Sequence, residues 1–217
     1  MTIAGIIFDC DGTLVDSERL AAGLLRDVLE EHGAVLSASE VLVRFRGVKF
    51  AECMDGLCER FPFLPGGQLV QAFRERTLPL LREKLTEMPG AVAFVRDLAL
   101  PMCIASNGPR SKIETSLGAV GLLDAFTDRI VSAYEVDAWK PSPVIIHHAA
   151  QRMGLDAERC LLVDDTSAGV MAGLAAGSQV AGYGEGDFSE FEGHPLFHRT
   201  HDYHQVHALL QRLENRG

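Results

Sequence analysis

Residues 3–13 read IAGIIFDCDGT, an apolar run followed directly by two closely spaced aspartates. The apolar run from Ile3 to Phe8 is short and rich in Ile and Phe, which predicts a buried β-strand. The run ends abruptly at Asp9 and Asp11, and Gly12 follows them. In parallel α/β sheets, ligands bind at the carboxyl ends of strands. The pattern therefore predicts a functional loop directly after the first strand.

Beyond Pro89-Gly90, predicted strands alternate with predicted helices. The apolar segments lie near residues 102–105, 130–132, 160–163 and 179–181, and helical patterns cover residues 91–98, 111–117, 142–153 and 168–176. This alternation predicts right-handed βαβ units and a parallel sheet covered on both faces. The first strand must join this sheet, because a lone strand is not stable. We therefore expect an α/β fold with a Rossmann-like parallel-sheet core.

The segment between the first strand and this core has a different pattern. Residues 16–86 show helical periodicity with no convincing strand. Ser17 is predicted to cap the first helix and Gly33 to end it, whereas Ser37 or Ser39 could cap the second. We expect an α-helical cap domain of residues 16–86, inserted after strand one into a core of residues 1–15 and 87–217.

Polar side chains follow the predicted strands at the points where they end. They are Asp9 and Asp11, then Ser106 and Asn107, then Lys140, and finally Asp164 and Asp165. Because carboxyl ends of parallel strands meet at one edge, these residues are expected to form one site. Four ionised carboxylates would repel one another without a cation or raised pKa values. Carboxylate oxygens favour a hard ion, which makes Mg²⁺ the expected cofactor.

The overall charge limits the expected partners. With 20 Lys and Arg against 30 Asp and Glu, the net charge is −10, so neither nucleic acid nor an anionic membrane is an expected partner. The five cysteines are odd in number and scattered, which suits reduced thiols in the cytoplasm. No secretory signal pattern precedes Asp9. Nothing in the sequence indicates an obligatory protein partner.

The motif DCDGT at residues 9–13, followed in order by Ser106, Lys140 and Asp164-Asp165, resembles the haloacid dehalogenase superfamily of phosphohydrolases. The resemblance implies that Asp9 attacks phosphorus and becomes an aspartyl-phosphate, while Asp11 protonates the leaving oxygen and then activates water. It also implies that the substrate is a small phosphorylated metabolite.

The remaining site residues are assigned on the same resemblance. Lys140, Ser106 and Asn107 would bind the phosphoryl group, and the metal ligands would be Asp9, Asp11, Asp164 and Asp165. Members of the family usually carry Glu where Asp164 stands, so direct ligation by this shorter side chain is left open. Thr13 is implied to support the nucleophile.

A narrower resemblance is to the β-phosphoglucomutase-like subgroup, and within it to bacterial 6-phosphogluconate phosphatases. It is carried by FRGVK at residues 45–49, LPMCIASNGP at 100–109, WKP at 139–141 and LLVDDTSAG at 161–169. The mutases carry His on the first cap helix where Ala21 stands here, which favours a phosphatase over a mutase.

Several alternatives stay open. The basic residues Arg46 and Lys49 either bind a second anionic group of the substrate or belong to a solvated helix end. A β-phosphoglucomutase-type phosphotransferase and a non-catalytic binding protein on the same fold are the rival functions. Five of the eight histidines lie between His194 and His207, where a polar surface tail is preferred to a zinc site.

Overall fold

The computed structural model describes residues 2–45 and 50–214, the side chain of Phe45 excepted. The chain divides into two compact units. We call Met1–Val15 with Thr86–Gly217 the core unit, and Asp16–Leu85 the helical unit. The chain thus leaves the core unit after its first strand and returns to it about 70 residues later.

A parallel sheet forms the centre of the core unit. Within the described residues its six strands lie in the order β3-β2-β1-β4-β5-β6. The strands are β1 Gly5–Phe8, β2 Met102–Ser106, β3 Ile130–Ser132, β4 Cys160–Asp164, β5 Gln179–Tyr183 and β6 Phe197–Thr200. The helices of this unit are α5 Ala91–Asp97, α6 Arg110–Ala119, α7 Ala133–Val136, α8 Val144–Arg152, α9 Ser167–Ala175 and α10 Tyr203–Glu214. The predicted α/β fold with a Rossmann-like parallel sheet is confirmed.

The strand register aligns the carboxyl ends of β1, β2 and β4, the central strands that carry the predicted site residues. Phe8 pairs with Ile104 of β2 and with Val163 of β4, and the Asp9 N–H donates to the carbonyl of Val163 at 3.0 Å. The residues that follow these strands therefore lie side by side at one edge. Apolar Ile, Leu, Val and Ala side chains fill the layers between sheet and helices, as expected where both faces of a parallel sheet are covered.

The helical unit has a hydrophobic core of its own. Its helices are α1 Ser17–Glu31, α2 Ala38–Phe45, α3 Phe50–Arg60 and α4 Gly66–Lys84. Ser37 caps α2, because its Oγ accepts from the Glu40 N–H while the Glu40 carboxylate accepts from the Ser37 N–H. Ser17 instead lies inside α1 as its first residue, so the predicted cap position was one residue late. In the described residues, no helix is long and apolar enough to span a bilayer.

The expectation of a polar surface tail at residues 194–207 was wrong. Residues 197–200 form β6, which pairs with β5, and α10 begins at Tyr203. Thr200, Tyr203 and Val206 are buried. The apolar spacing of α10 is hard to see in the sequence because polar His204, Gln205 and His207 stand at exposed positions among its buried residues.

Candidate active site

A buried lysine joins two carboxylates at the centre of the strand edge. Lys140 Nζ lies 2.5 Å from Asp9 Oδ1 and 2.6 Å from Asp164 Oδ2. The three side chains are almost entirely withdrawn from solvent, at 2%, 10% and 0% exposed. Asp9 follows β1, Asp164 ends β4, and Lys140 stands in the loop before α8. The structure therefore brings together three residues that are 24 to 155 positions apart in the sequence.

Burial and mutual charge set the protonation of this group. Burial raises the pKa of Asp9 to about 7; the Lys140 ammonium opposes this shift, and Asp164 and Asp11 add to it. Burial acts to lower the pKa of Lys140, but the two carboxylates outweigh burial and hold that pKa above its ordinary value. Lys140 is therefore a permanent cation beside Asp9, and it favours the ionised form that a nucleophile requires.

Asp164 is bonded at both of its oxygens. Oδ2 accepts a hydrogen bond from Lys140 Nζ, whereas Oδ1 accepts from the Thr166 N–H at 2.9 Å and from Thr166 Oγ1 at 2.7 Å. The helix α9 packs directly on this carboxylate, since a Cβ placed on Gly169 would lie 1.9 Å from it. Thr166 is also the N-cap of α9, because its Oγ1 accepts from the Gly169 N–H. These contacts fix Asp164 as a support for Lys140.

Asp165 points at the loop that follows β1. Its Oδ1 accepts from Thr13 Oγ1 at 2.9 Å, in line with the supporting position expected for Thr13. Gly12 has a φ of +79°, and a Cβ there would lie 2.3 Å from Asp165 Oδ2. Only glycine allows this approach of backbone to carboxylate. Tyr203 of α10, which sequence reasoning missed, holds the same loop by donating from its hydroxyl to the Thr13 carbonyl at 2.7 Å.

The end of β2 supplies the polar residues predicted to bind phosphate. Ser106 is buried, and its Oγ accepts from the Gly108 N–H at 3.1 Å. The side chain of Asn107 has another partner: its Oδ1 accepts from the Lys140 N–H at 2.8 Å, and its Nδ2 lies 3.4 Å from the Lys140 carbonyl. This side chain therefore positions the Lys140 backbone. Ser132 of β3 supports the loop by donating to the Gly108 carbonyl at 2.7 Å.

Asp11 has a partner that the sequence analysis did not identify. Lys112 Nζ, from the first turn of α6, lies 2.7 Å from Asp11 Oδ2. Burial of Lys112 acts to lower its pKa, but Asp11 outweighs burial and the pKa is raised, so the side chain stays charged. A lysine three residues after a strand-end Asn-Gly-Pro turn was the available sequence signal.

The chemistry of the donors fits Mg²⁺. Asp9, Asp11 and Asp165 offer hard carboxylate oxygens, and Gly12 leaves room for Asp165 to approach the nucleophile loop. In the described part of the chain, no three His, Cys, Asp or Glu side chains converge as a metal site. Proteins usually hold Mg²⁺ through one or two carboxylates together with waters and a substrate phosphate.

The two predicted cap residues, Arg46 and Lys49, lie outside the described residues. Ala21 is buried on α1 within the core of the helical unit. All other predicted site residues, from Asp9 to Asp165, lie at the carboxyl edge of the sheet of the core unit.

Comparison with known proteins gives the family. The profile of the haloacid dehalogenase-like hydrolases matches residues 3–177. The 6-phosphogluconate phosphatase of Escherichia coli (strain K12) is 37% identical over 179 residues, covering 82% of this chain and 81% of that protein. Hexitol phosphatase B of the same organism is 31% identical, covering 80% of each.

A solved structure agrees with these matches. The HAD family hydrolase from Deinococcus radiodurans R1, solved with bound phosphate and sodium, superposes with a TM-score of 0.82 at 26% identity. The alignment covers 97% of this chain and 96% of that one. With a family profile that spans most of the chain and with these relatives, the chain belongs to the haloacid dehalogenase-like hydrolases and, among them, to the phosphatases.

Proposed function

We propose that the protein is a Mg²⁺-dependent phosphomonoester hydrolase that acts on small sugar phosphates or sugar-acid phosphates through an aspartyl-phosphate on Asp9. The observation that carries the proposal is the buried Asp9 carboxylate held 2.5 Å from the Lys140 ammonium at the strand edge. A carboxylate in this setting has a fixed orientation and a neighbouring positive charge, as covalent attack on a phosphate ester requires.

In the first step, an Asp9 oxygen bonds to phosphorus as the bond from phosphorus to the leaving oxygen breaks. Asp11 gives its proton to that oxygen, so the alcohol leaves neutral. In the second step, Asp11 takes a proton from water as the water oxygen bonds to phosphorus. The acyl phosphate bond then breaks, which releases inorganic phosphate and restores Asp9. Lys140 and Ser106 stabilise the phosphoryl charge in both steps.

Asp9 and Asp165 would hold the Mg²⁺ ion, which supplies positive charge to the phosphoryl oxygens when it is bound. Asp11, also expected from the sequence to be a ligand, is assigned instead to proton transfer, because Lys112 bonds one of its oxygens. Asp164 is a less suitable ligand than the sequence suggested, because Lys140 and Thr166 already bond both of its oxygens. We assign it to positioning Lys140.

Metal removal and nucleophile replacement test this function. Turnover should vanish in EDTA and return with Mg²⁺, and Asp9→Asn should reduce it to background. Asp11→Asn should slow hydrolysis of alkyl phosphates by at least about 100-fold. Full activity in verified metal-free protein, or wild-type rates in Asp9→Asn, would overturn the mechanism.

The substrate proposal rests on the relatives and on charge. A relative at 37% identity is a 6-phosphogluconate phosphatase, and another at 31% is a hexitol phosphatase. Arg46 and Lys49 add positive charge to a chain of net charge −10. A sugar-acid phosphate carries a carboxylate far from its phosphate, and we propose that these residues bind it.

A charge-assisted contact of this kind contributes about 1.5–3 kcal/mol, which predicts a preference of about 10- to 100-fold over a neutral sugar phosphate. The assay compares kcat/KM for 6-phosphogluconate and glucose 6-phosphate, and Arg46→Ala should remove most of the difference. Equal kcat/KM values for the two esters would refute the preference for sugar-acid phosphates and would indicate a sugar phosphatase of broad specificity.

The mutase alternative is disfavoured by Ala21, since its buried methyl group cannot transfer a proton. With β-glucose 1-phosphate, inorganic phosphate should therefore appear without glucose 6-phosphate. Sustained isomerisation without phosphate release would reverse this preference. A purely binding role is disfavoured by the presence of both Asp9 and Asp11.

A further inference from the structure

Lys112 occupies a position that is unfavourable for a lysine. It is the third residue of α6, where the helix dipole places partial positive charge. Its side chain is only 24% exposed, and this burial also disfavours the charged form of its ammonium. A cation in this position lowers the stability of the helix, and its presence needs an interaction that outweighs both effects.

The Asp11 carboxylate supplies that interaction. Lys112 Nζ donates to Asp11 Oδ2 at 2.7 Å, and the Asp11 side chain is itself only 22% exposed. Gly108, just before α6, lies beside both segments, since a Cβ there would be in ordinary contact at 3.4 Å from Ser106 Oγ and 3.7 Å from Asp11 Oδ2. The first turn of α6 and the loop after β1 are therefore packed together around this ion pair.

We propose that Lys112 is the positioning residue for Asp11, holding the carboxyl group in place for proton exchange with the leaving oxygen and then with water. The inference rests on the proposed function, in which Asp11 transfers the proton. Lys112 itself neither gains nor loses a proton and forms no bond to phosphorus. It fixes one Asp11 oxygen, so that the orientation of the other is set relative to the end of β1.

Two ester classes separate this role from others. An alkyl phosphate needs a proton on its leaving oxygen, whereas p-nitrophenolate departs readily as an anion. The value of kcat/KM reports the steps up to departure of the leaving group. In Lys112→Met, with Mg²⁺ present, we expect kcat/KM to fall about 10- to 100-fold on an alkyl sugar phosphate and less than about threefold on p-nitrophenyl phosphate. Lys112→Arg should recover most of the loss, because it keeps the charge.

A double variant tests whether Lys112 acts through Asp11. If it does, adding Lys112→Met to Asp11→Asn should change kcat/KM on the alkyl ester by less than about twofold. A multiplicative loss would overturn the proposal. An equal rise in KM for both ester classes would also overturn it, since that result indicates direct contact with the phosphate. The proposal would also be overturned if Lys112→Met lowered kcat/KM equally on both esters, in proportion to a lower unfolding midpoint, and Lys112→Arg did not restore it.

The same data separate this inference from the proposed function. If Asp11→Asn itself keeps wild-type rates on alkyl esters, the function proposed for Asp11 fails. If Asp11→Asn is impaired but Lys112→Met is not, only the positioning role of Lys112 fails.

Discussion

Replacing Lys140 by Met tests the electrostatics at the centre of the site. Met keeps the length and the apolar stem of the side chain but removes the ammonium. Lys140 contacts Asp9 at 2.5 Å and Asp164 at 2.6 Å, and Asp164 has no exposed surface. The substitution therefore leaves two buried carboxylates without the cation between them. Removing one partner of a buried ion pair typically costs about 3–5 kcal/mol of stability.

The expected loss depends on pH in a way that the structure defines. A buried carboxylate without its cation takes up a proton instead of remaining charged. The pKa of Asp9 is already raised to about 7 by burial, and losing the Lys140 ammonium that opposes this shift raises it further.

The direction of this pH dependence follows from the number of protons that the folded and unfolded states bind. The folded variant binds more protons than its unfolded chain above pH 4, so its free energy of unfolding falls as pH rises. We expect Lys140→Met to lose about 3–5 kcal/mol relative to the parent protein at pH 7, and clearly less at pH 5.

Urea unfolding at the two pH values measures this loss. The single tryptophan, Trp139, packs against the buried core of the core unit, so its fluorescence follows that unit. Lys112→Met is the matched control: it makes the same chemical change at a partly exposed pair and should cost less than about 1 kcal/mol. Adding Asp164→Asn to Lys140→Met should restore part of the stability. A loss below about 1 kcal/mol at pH 7, unchanged at pH 5, would refute the reasoning.

Three further predictions concern the surroundings of the site. Gly169→Ala should lower the free energy of unfolding by about 1–3 kcal/mol or more, because the added Cβ would overlap the Asp164 carboxylate. Gly23→Ala, which adds its Cβ in open space on α1, should raise the free energy of unfolding by about 0.5–1 kcal/mol, and equal effects of the two variants in urea unfolding would contradict this prediction. Thr166→Val should lower the free energy of unfolding by about 0.5–2 kcal/mol, because it removes the hydroxyl that caps α9. Thr166→Ser keeps a hydroxyl and should retain most of that stability. An unchanged free energy of unfolding in the Val variant would count against the cap. Of the five thiols, only the half-buried Cys58 should react quickly with a thiol reagent in the native protein, since the other four are buried. All five should react in urea. Three or more fast-reacting thiols in the native protein would disprove this prediction.

Much of the fold could be predicted from local patterns. The run from Ile3 to Phe8 predicted β1 because buried parallel strands are continuously apolar, and the acidic residues after it marked its end. The rule that ligands bind at the carboxyl ends of parallel strands then placed Asp9, Ser106, Lys140 and Asp164 together. The strand register meets that expectation.

The partners of individual side chains could not be predicted in this way. Lys112 looks like any solvated lysine until the fold places α6 beside the loop that carries Asp11. The side chain of Asn107 was assigned to phosphate by its position next to Ser106, yet its amide bonds the Lys140 backbone 33 residues away. Tertiary packing determines such contacts, and the local sequence does not record them.

The position of β1 in the sheet has a consequence for synthesis on the ribosome. This strand is made first among the six, yet it lies between β2 and β4. The ribosome must add roughly 150 residues after β1 before β4 is complete, which takes about 8–30 s at typical elongation rates. The helical unit is contiguous and can fold during that interval. Throughout it, the apolar strand that carries the nucleophile has at least one edge unpaired, and such edges promote aggregation. The nascent chain therefore passes through a period in which β1 has an exposed edge, and faster elongation would shorten that period.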